Sequence, residues 1–405
     1  MNHSKKSVEI KHIDFLEILL EKRELYPFYE KVVNTISQKT IYNKENNGAQ
    51  AETYNTIYFI NDVPNYLNAE IPTANKKIKS SKVLRYEGFI INLKKYKDIG
   101  EYLNSNFSSK SRSKFRTYQK RLEMCFNIKY KMYCGDISKE HYNYLFDEFR
   151  EILKRRFQQK QAVNEDLKRW DYYHKLAYPM ILEKKASLFV IYDREKPINI
   201  CLNFIYDKII FGYIRTFDID YSKFNIGFID MIEQVNWCLQ NDIEIFDLLK
   251  GDFDYKRRWA DSIYNYETHI IYNPQFFNTK KAAVIKTFKI KKYYQLLHLF
   301  KKWNLHLLYR KFKIYKYNKS KSEDNDRPGA QIVIDNKPDI PLDEKLLPVN
   351  LDNPEYVFLK KPVYDFLYSC SEPLSSICIS KFNSNHNSYL IEGKKSIQKI
   401  TINNT

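Results

Sequence analysis

Glycine is scarce in this chain, at 9 of 405 residues. No G-x-x-x-x-G-K-[ST] loop and no G-x-S-x-G turn occurs. Their absence excludes P-loop phosphoryl transfer and the serine-elbow hydrolases. Cysteine is sparse too. Cys125, Cys134, Cys201, Cys238, Cys370 and Cys378 form no C-x-x-C pair. Cys201 and Cys238 sit inside apolar patterns, so free buried thiols in a reducing compartment are expected ahead of disulfides or a metal site. His141 and His174 stand alone without ligand spacing, and no metal is expected. No run approaches the ~20 apolar residues of a spanning helix. The first residues, M-N-H-S-K-K-S-V-E-I-K-H, contain no apolar signal core. A cytoplasmic location is therefore the expectation. Acidic residues are missing altogether from Lys280 to Lys321, where 14 Lys or Arg occur.

A large core is affordable at this length, and two or three domains are expected. Hydrophobic residues make up 43% and aromatics 16%, with 34 Tyr and 26 Phe, which argues against general disorder. The formal charge is +18. Few Gly with much Lys, Asn, Ile and Tyr suggests an AT-rich coding sequence, so part of the Lys excess reflects codon usage. Residues 1–279 carry +7 and residues 322–405 are slightly acidic, so a partner argument belongs to the 280–321 segment.

Along the chain, the first 55 residues read as helical and then polar. Thr56–Asn61 and Leu84–Leu93 read as strands. A helix over 108–125 starts at caps Ser108 and Ser109 and carries Arg112 and Arg116 among its cations. A strand follows at 126–133, then helices from Ser138 and from Asn164. Three strands come next, at 187–193, 198–206 and 209–217, joined by hairpin-sized turns. After a loop come a helix from Gly227 to Gln240, a strand from Ile243 to Leu249, a turn or short helix over 251–260 and a strand from Ile263 to Tyr272. Antiparallel strands with one helix crossover imply an α/β (α+β) fold, with a mixed, mostly antiparallel sheet flanked by helices. Lys280–Lys316 reads as a basic helical stretch and Glu323–Gly329 as a linker. Short β-like runs at Ile332–Ile334, Tyr356–Leu359 and Ser376–Ile379 suggest a small β-rich C-terminal appendage.

The chemistry concentrates between Phe217 and Trp259. The first N–H groups of a helix are unpaired and its dipole favours an anion, so the loop entering the helix at Gly227 suits a phosphate. Ser222, Lys223, Asn225, Gly227 and Phe228 are the candidate donor-binding residues, with Lys223 adding charge. Gly227 serves equally well as a plain helix cap. Asp247, at a strand end between Phe246 and Leu248, would have a raised pKa and suit a general base. A structural pair with Lys256 or Arg215 is the alternative. Tyr255 is a candidate acid for a leaving thiolate, and Trp259 reads as core.

Two blocks resemble the GNAT-fold acyltransferases, in particular the cellulose-biosynthesis-protein-like (CelD-like) and FemAB-related branch. They are S-S-K-S-R-S-K-F-R-T-Y-Q-K-R-L-E (Ser108–Glu123) and I-E-I-F-D-L-L-K-G-D-F-D-Y-K-R-R-W (Ile243–Trp259). The resemblance spans about residues 84 to 275 and leaves open a duplication into two GNAT-like halves. It implies an acyl-CoA donor, acetyl-CoA first, with its pyrophosphate at Tyr221–Gly227 and its pantetheine along 209–216. Asp252, Lys256, Arg112 and Arg116 would bind the acceptor. That acceptor would be an amine or hydroxyl of a small molecule, sugar nucleotide or glycan precursor. The alternatives are a Fem-type transferase using aminoacyl-tRNA and a non-catalytic GNAT scaffold docking to a membrane or assembly.

The expected organisation is an N-terminal GNAT-like half at 1–130, an acyltransferase domain at 131–279, a basic helical segment at 280–321 and the β-rich unit at 330–405. For 280–316, a helix packed on the domain ranks first. Peripheral contact with an anionic membrane, at the inner membrane surface, ranks second. Nucleic acid ranks third.

Overall fold

The computed structural model describes residues 8–43, 55–71, 77–303, 331–341 and 344–403. The expected linker at 323–329 and the end of the basic stretch, 304–316, lie outside them.

The N-terminal region is a correction. It forms strands β1 (Glu9–Asp14), β2 (Lys31–Asn34) and β3 (Lys39–Asn43), with one helical turn at Glu17–Lys22. The helix-like spacing of D-F-L-E-I-L-L loses to pairing at a distance. β1 runs parallel to β4 (Thr56–Pro64), from Glu9 opposite Thr56 to Asp14 opposite Asn61. Next come β5 (Leu67–Glu70) and the 14-residue β6 (Lys79–Asn92).

Apart from one short helix at Ile99–Asn106 that was not expected, the expected order holds from there. It runs α1 (Ile99–Asn106), α2 (Ser109–Cys125), β7 (Ile128–Tyr133), α3 (Lys139–Gln159), α4 (Trp170–Leu182), β8 (Ala186–Asp193), β9 (Lys196–Tyr206) and β10 (Ile209–Phe217). α5 (Ile226–Gln240), β11 (Ile245–Lys250), α6 (Asp254–Trp259), β12 (Ser262–Tyr272) and α7 (Phe277–Lys302) follow. Ser108 and Ser138 accept from the amides of Ser111 and His141, capping α2 and α3. Each such cap contributes about 1 kcal/mol. The β8–β9 and β9–β10 turns place Arg194 and Asp207 in the left-handed region, as tight hairpins require.

The C-terminal region is β13 (Gln331–Asp335), β14 (Leu346–Pro348), α8 (Lys360–Cys370), β15 (Cys378–Phe382), β16 (Ser388–Glu392) and β17 (Ile397–Asn403). The strand expected at Tyr356–Leu359 is instead a 3-10 turn leading into α8. Pro354 and Pro362 stand in the first turns of these two helices, where a missing N–H costs nothing. Val363, Phe366 and Leu367 then bury one helical face.

The chain divides into two compact units, each drawn from three stretches. One comprises Met1–Lys97, Asn203–Tyr213 and Cys238–Lys311. The other comprises Asp98–Leu202, Ile214–Trp237 and Phe312–Thr405. In the first, strand neighbours run β1-β4-β12-β6-β11-β10-β9, and β2, β3 and β5 form a small second sheet. β11 is parallel to β10 and antiparallel to β6, so the helix crossover makes the sheet mixed as expected. In the second, β10-β9-β8-β7 are neighbours and β13-β17-β16-β15-β14 form a separate sheet. The expected small β-rich C-terminal sheet is present, and it shares a core with the rest of its unit. Leu359, Val363, Tyr364, Leu367 and Ile391 share one apolar core with Leu122, Phe189, Ile198, Phe224 and Ile229.

Candidate active site

In the first unit, Asp247 is wholly buried and stands third of six residues in β11, inside the strand rather than at its end as expected. Its Oδ2 accepts from Tyr66 Oη at 2.7 Å and Tyr264 Oη at 2.9 Å. Its Oδ1 accepts from the Leu249 amide at 2.7 Å and lies 3.0 Å from Tyr264 Oη. The Tyr264 and Tyr266 hydroxyls are 2.7 Å apart. Burial pushes the Asp247 carboxyl up to about 6, against the pull of these donors and of the Lys256 charge. The Tyr264 ring lies against Gly88 on β6, and a Cβ there would sit 2.2 Å from the ring.

The residues after Asp247 form a built turn. Between Asp247 and Lys250 the register on β6 slips, leaving a bulge. Leu249 has φ 61° and Gly251 φ 106°. A leucine in the left-handed region costs of order 1 kcal/mol, and the Asp247 carboxylate on its amide helps hold it. Buried Lys256 donates to the Lys250 carbonyl at 2.5 Å and the Leu249 carbonyl at 3.4 Å. Trp259 is core, as expected. Asp252 is exposed and pairs with Arg257 at 2.6 Å, and Tyr255 is half-buried and stacked on Phe253.

In the second unit, the candidate donor loop is a 3-10 turn, Ile219–Phe224, with Asn225 at φ 54°. Its buried Asp218 and Asp220 are bridged by Arg155 at 3.0 Å each, and Lys196 adds a bond to Asp218 at 3.0 Å. Tyr221 and Phe224 pack on Tyr364 and Tyr368 of α8. Ser222 Oγ accepts from Lys361 Nζ at 3.3 Å, Lys223 is exposed, and the Asn225 side chain donates to the Lys223 carbonyl. A Cβ on Gly227 would meet only Phe217, at 3.9 Å.

Phe228, in the first turn of α5, stacks on Phe115 of α2 with ring centroids 5.2 Å apart. The basic helix and the start of α5 are therefore neighbours. Arg112 folds back to donate to the Phe107 carbonyl at 2.5 Å, whereas Arg116 is exposed. Deeper in the same unit, Asp230 of α5 is buried against the Arg215 guanidinium, Gln234 and the Cys201 thiol. Burial and the Asp230 carboxylate both push that thiol above its usual range.

Residues 109–257 match the family model described as Acetyltransferase (GNAT) domain. This stretch is a GNAT-type acetyltransferase domain. Among curated proteins none matches the chain. Solved structures similar to it include a conserved protein of unknown function from Bacteroides thetaiotaomicron VPI-5482, at 10% identity and TM-score 0.38, covering 53% of this chain and 70% of that one. FemX is similar at 11% identity and TM-score 0.36, covering 46% of this chain and 61% of that one. L-PGS from Bacillus licheniformis is similar at 13% identity and TM-score 0.33, covering 57% and 72%. Likenesses this distant say nothing of substrate.

Within the GNAT domain, Asp247 pairs with neither Arg215 nor Lys256 through a hydrogen bond. Two tyrosines take it instead, and Arg215 goes to Asp230. Lys256 clamps backbone rather than facing solvent. Tyr66 and Tyr264 were missed by sequence reading, although the alternation Y-N-Y at 264–266 marked one face of β12. Arg155, Asp218 and Asp220 were missed because a charged loop reads as solvated. Three cysteines are buried as expected, but Cys378 is exposed. Among the described residues, no group of three His, Cys, Asp or Glu is placed to hold a metal, and no helix is long and apolar enough to cross a membrane.

The Arg155 bridge yields a direct prediction. Burial, then the neighbouring Asp218, raises the Asp220 carboxyl, and Arg155 offsets this. Arg155→Ala leaves two buried carboxylates short of their shared partner. A broken buried pair costs several kcal/mol, and the half-exposed guanidinium reduces that to roughly 2–3 kcal/mol. Urea denaturation should show this loss, with faster hydrogen exchange at 219–228. An unchanged midpoint would mean that the bridge contributes nothing.

Proposed function

We propose that the protein transfers an acyl group from acyl-CoA, acetyl-CoA first, to an amine or hydroxyl. The acceptor would be a small molecule, sugar nucleotide or glycan precursor that attacks the thioester directly. The observation that carries this reading is the start of α5, which lies in the GNAT domain beside a basic helix. Its dipole, the cations of α2 and the open space around Gly227 suit a diphosphate. Lys361 reaches Ser222 there but is paired with Asp365 at 3.0 Å. The donor supplies an activated thioester; the chain's own residues would bind and orient it.

Asp247 enters as a positioning residue. With no exposed surface and its oxygens shared among Tyr66, Tyr264 and the Leu249 amide, it acts through those groups. A specific observation favours the scaffold reading as second. The loop before α5 is packed on α8 by its aromatic residues, and Ser222 is already engaged.

Isothermal titration with acetyl-CoA and CoA separates the readings. Micromolar binding that weakens at least tenfold in Gly227→Val is expected. No binding at millimolar ligand removes the acyl-CoA reading and leaves the aminoacyl-tRNA and scaffold alternatives. With an acceptor in hand, Asp247→Asn should keep donor binding and lower kcat. Unchanged turnover and an unchanged pH profile would remove Asp247 from the machinery.

A further inference from the structure

α7 uses only part of its surface to pack. Thr279 and Ala283 are fully buried, Ile290 packs on the same core, and Tyr294 accepts from Arg85 Nε at 2.6 Å. The spacing 279, 283, 290, 294 is one stripe of a helix. Outside it, large apolar side chains lie in the open. Phe288 is 61% exposed and Trp303, just past the helix end, 68%. Val284, Leu296, Leu299 and Phe300 are exposed as well. So many on one element exceed the scattered exposed apolar residues of an ordinary surface.

Lysines share that surface. Lys280, Lys281, Lys289, Lys291 and Lys292 are exposed, and no Asp or Glu occurs between 280 and 321. This charge decides among occupants. A second copy of the helix would set lysines against lysines. A nucleic acid would neutralise them and stack on the aromatics, but would leave Val284, Leu296 and Leu299 in water. An anionic lipid surface satisfies both chemistries: the apolar side chains enter the acyl boundary while lysine stems reach back to the phosphates.

We propose that α7, with Trp303, is a peripheral docking surface for an anionic lipid bilayer. The sheet holds one stripe of the helix and leaves the remainder for lipid. None of its residues belongs to the GNAT domain, so the docking stands apart from the proposed acyl transfer.

The test is flotation of the full chain with vesicles of phosphatidylglycerol or of phosphatidylcholine alone. Binding to the first and not the second is expected, with a blue shift in Trp303 fluorescence that Trp303→Phe abolishes. Replacing Lys281, Lys291 and Lys292 together by Gln should weaken partitioning about a hundredfold. Replacing Val284, Phe288 and Leu299 together by Ser should weaken it at least tenfold with an unchanged circular dichroism spectrum. The proposal is overturned by no flotation on phosphatidylglycerol at low salt, equal binding to neutral vesicles, wild-type binding by the serine variant, or a dimer in sedimentation that the serine variant dissolves. Tighter binding to a single-stranded RNA than to vesicles would overturn it in favour of nucleic acid.

Discussion

Asp247→Ala is expected to lower folding stability by roughly 1 kcal/mol at pH 7 and by roughly 4 kcal/mol near pH 4. The substitution orphans the Tyr66 hydroxyl and the Leu249 amide, while the Tyr264 hydroxyl keeps Tyr266 as its acceptor. An unsatisfied buried donor costs about 1–3 kcal/mol, so two cost roughly 4. Removing the carboxylate also relieves a penalty. Its pKa rises from 3.8 to about 6 on folding. The ionised form is therefore disfavoured in the folded protein by about 3 kcal/mol, and the two effects leave the stated net loss.

The pH dependence has a definite sign. An acid whose folded pKa is raised binds its proton more tightly in the native state. Its contribution is complete below pH 3.8 and is lost as the pH climbs to about 6. The cost of Asp247→Ala should therefore grow as the pH falls from 7 toward 4. Asp247→Asn keeps the shape and stays neutral. It should cost under about 1 kcal/mol at pH 7 and flatten the stability profile between the two pKa values. Urea titrations at several pH values measure this. A pH-independent difference between wild type and Asp247→Asn would show that the group titrates normally.

The second large effect is expected at Gly88. A Cβ there would lie 2.2 Å from the Tyr264 ring, facing backbone-anchored sheet on both sides. The ring has to leave, taking its hydroxyl from Asp247 and Tyr266. Overpacking costs about 1–3 kcal/mol and the lost hydrogen bond about 1 more, so Gly88→Ala should cost roughly 2–4 kcal/mol. Tyr264→Ala opens the space, and the double variant should be more stable than the sum of the single changes predicts. Additive losses would mean that ring and glycine are not in conflict.

Much of the fold was legible. From Ser108 to Tyr272 the helices and strands follow their apolar spacing, because each packs by one periodic face. Ser108 and Ser138 announced their helix starts, and the short turns announced the hairpins. The N-terminal region was not legible, because its strands exist only through partners such as β4 and β5. The 3-10 turn before α8 was missed because V-F-L in a proline-rich tail reads equally as strand. The site was half legible. Asp247 stood out as a carboxylate in an apolar strand, but its tyrosine partners come from the β4–β5 turn and β12, 181 and 17 residues away.

Residue order alone determined the local conformations, the single basic segment without acid and the GNAT-type block from Ile243 to Trp259. These depend on neighbours within one or two turns, so periodicity and composition reveal them. The tertiary structure decided how charges are used: Asp247 goes to two tyrosines, Arg215 to Asp230, Lys256 to backbone carbonyls and Arg155 to the loop before α5. The physical reason is burial. A charge out of water must take whatever partner the packing brings within 3 Å, and that partner is set by the sheet rather than by the sequence beside it.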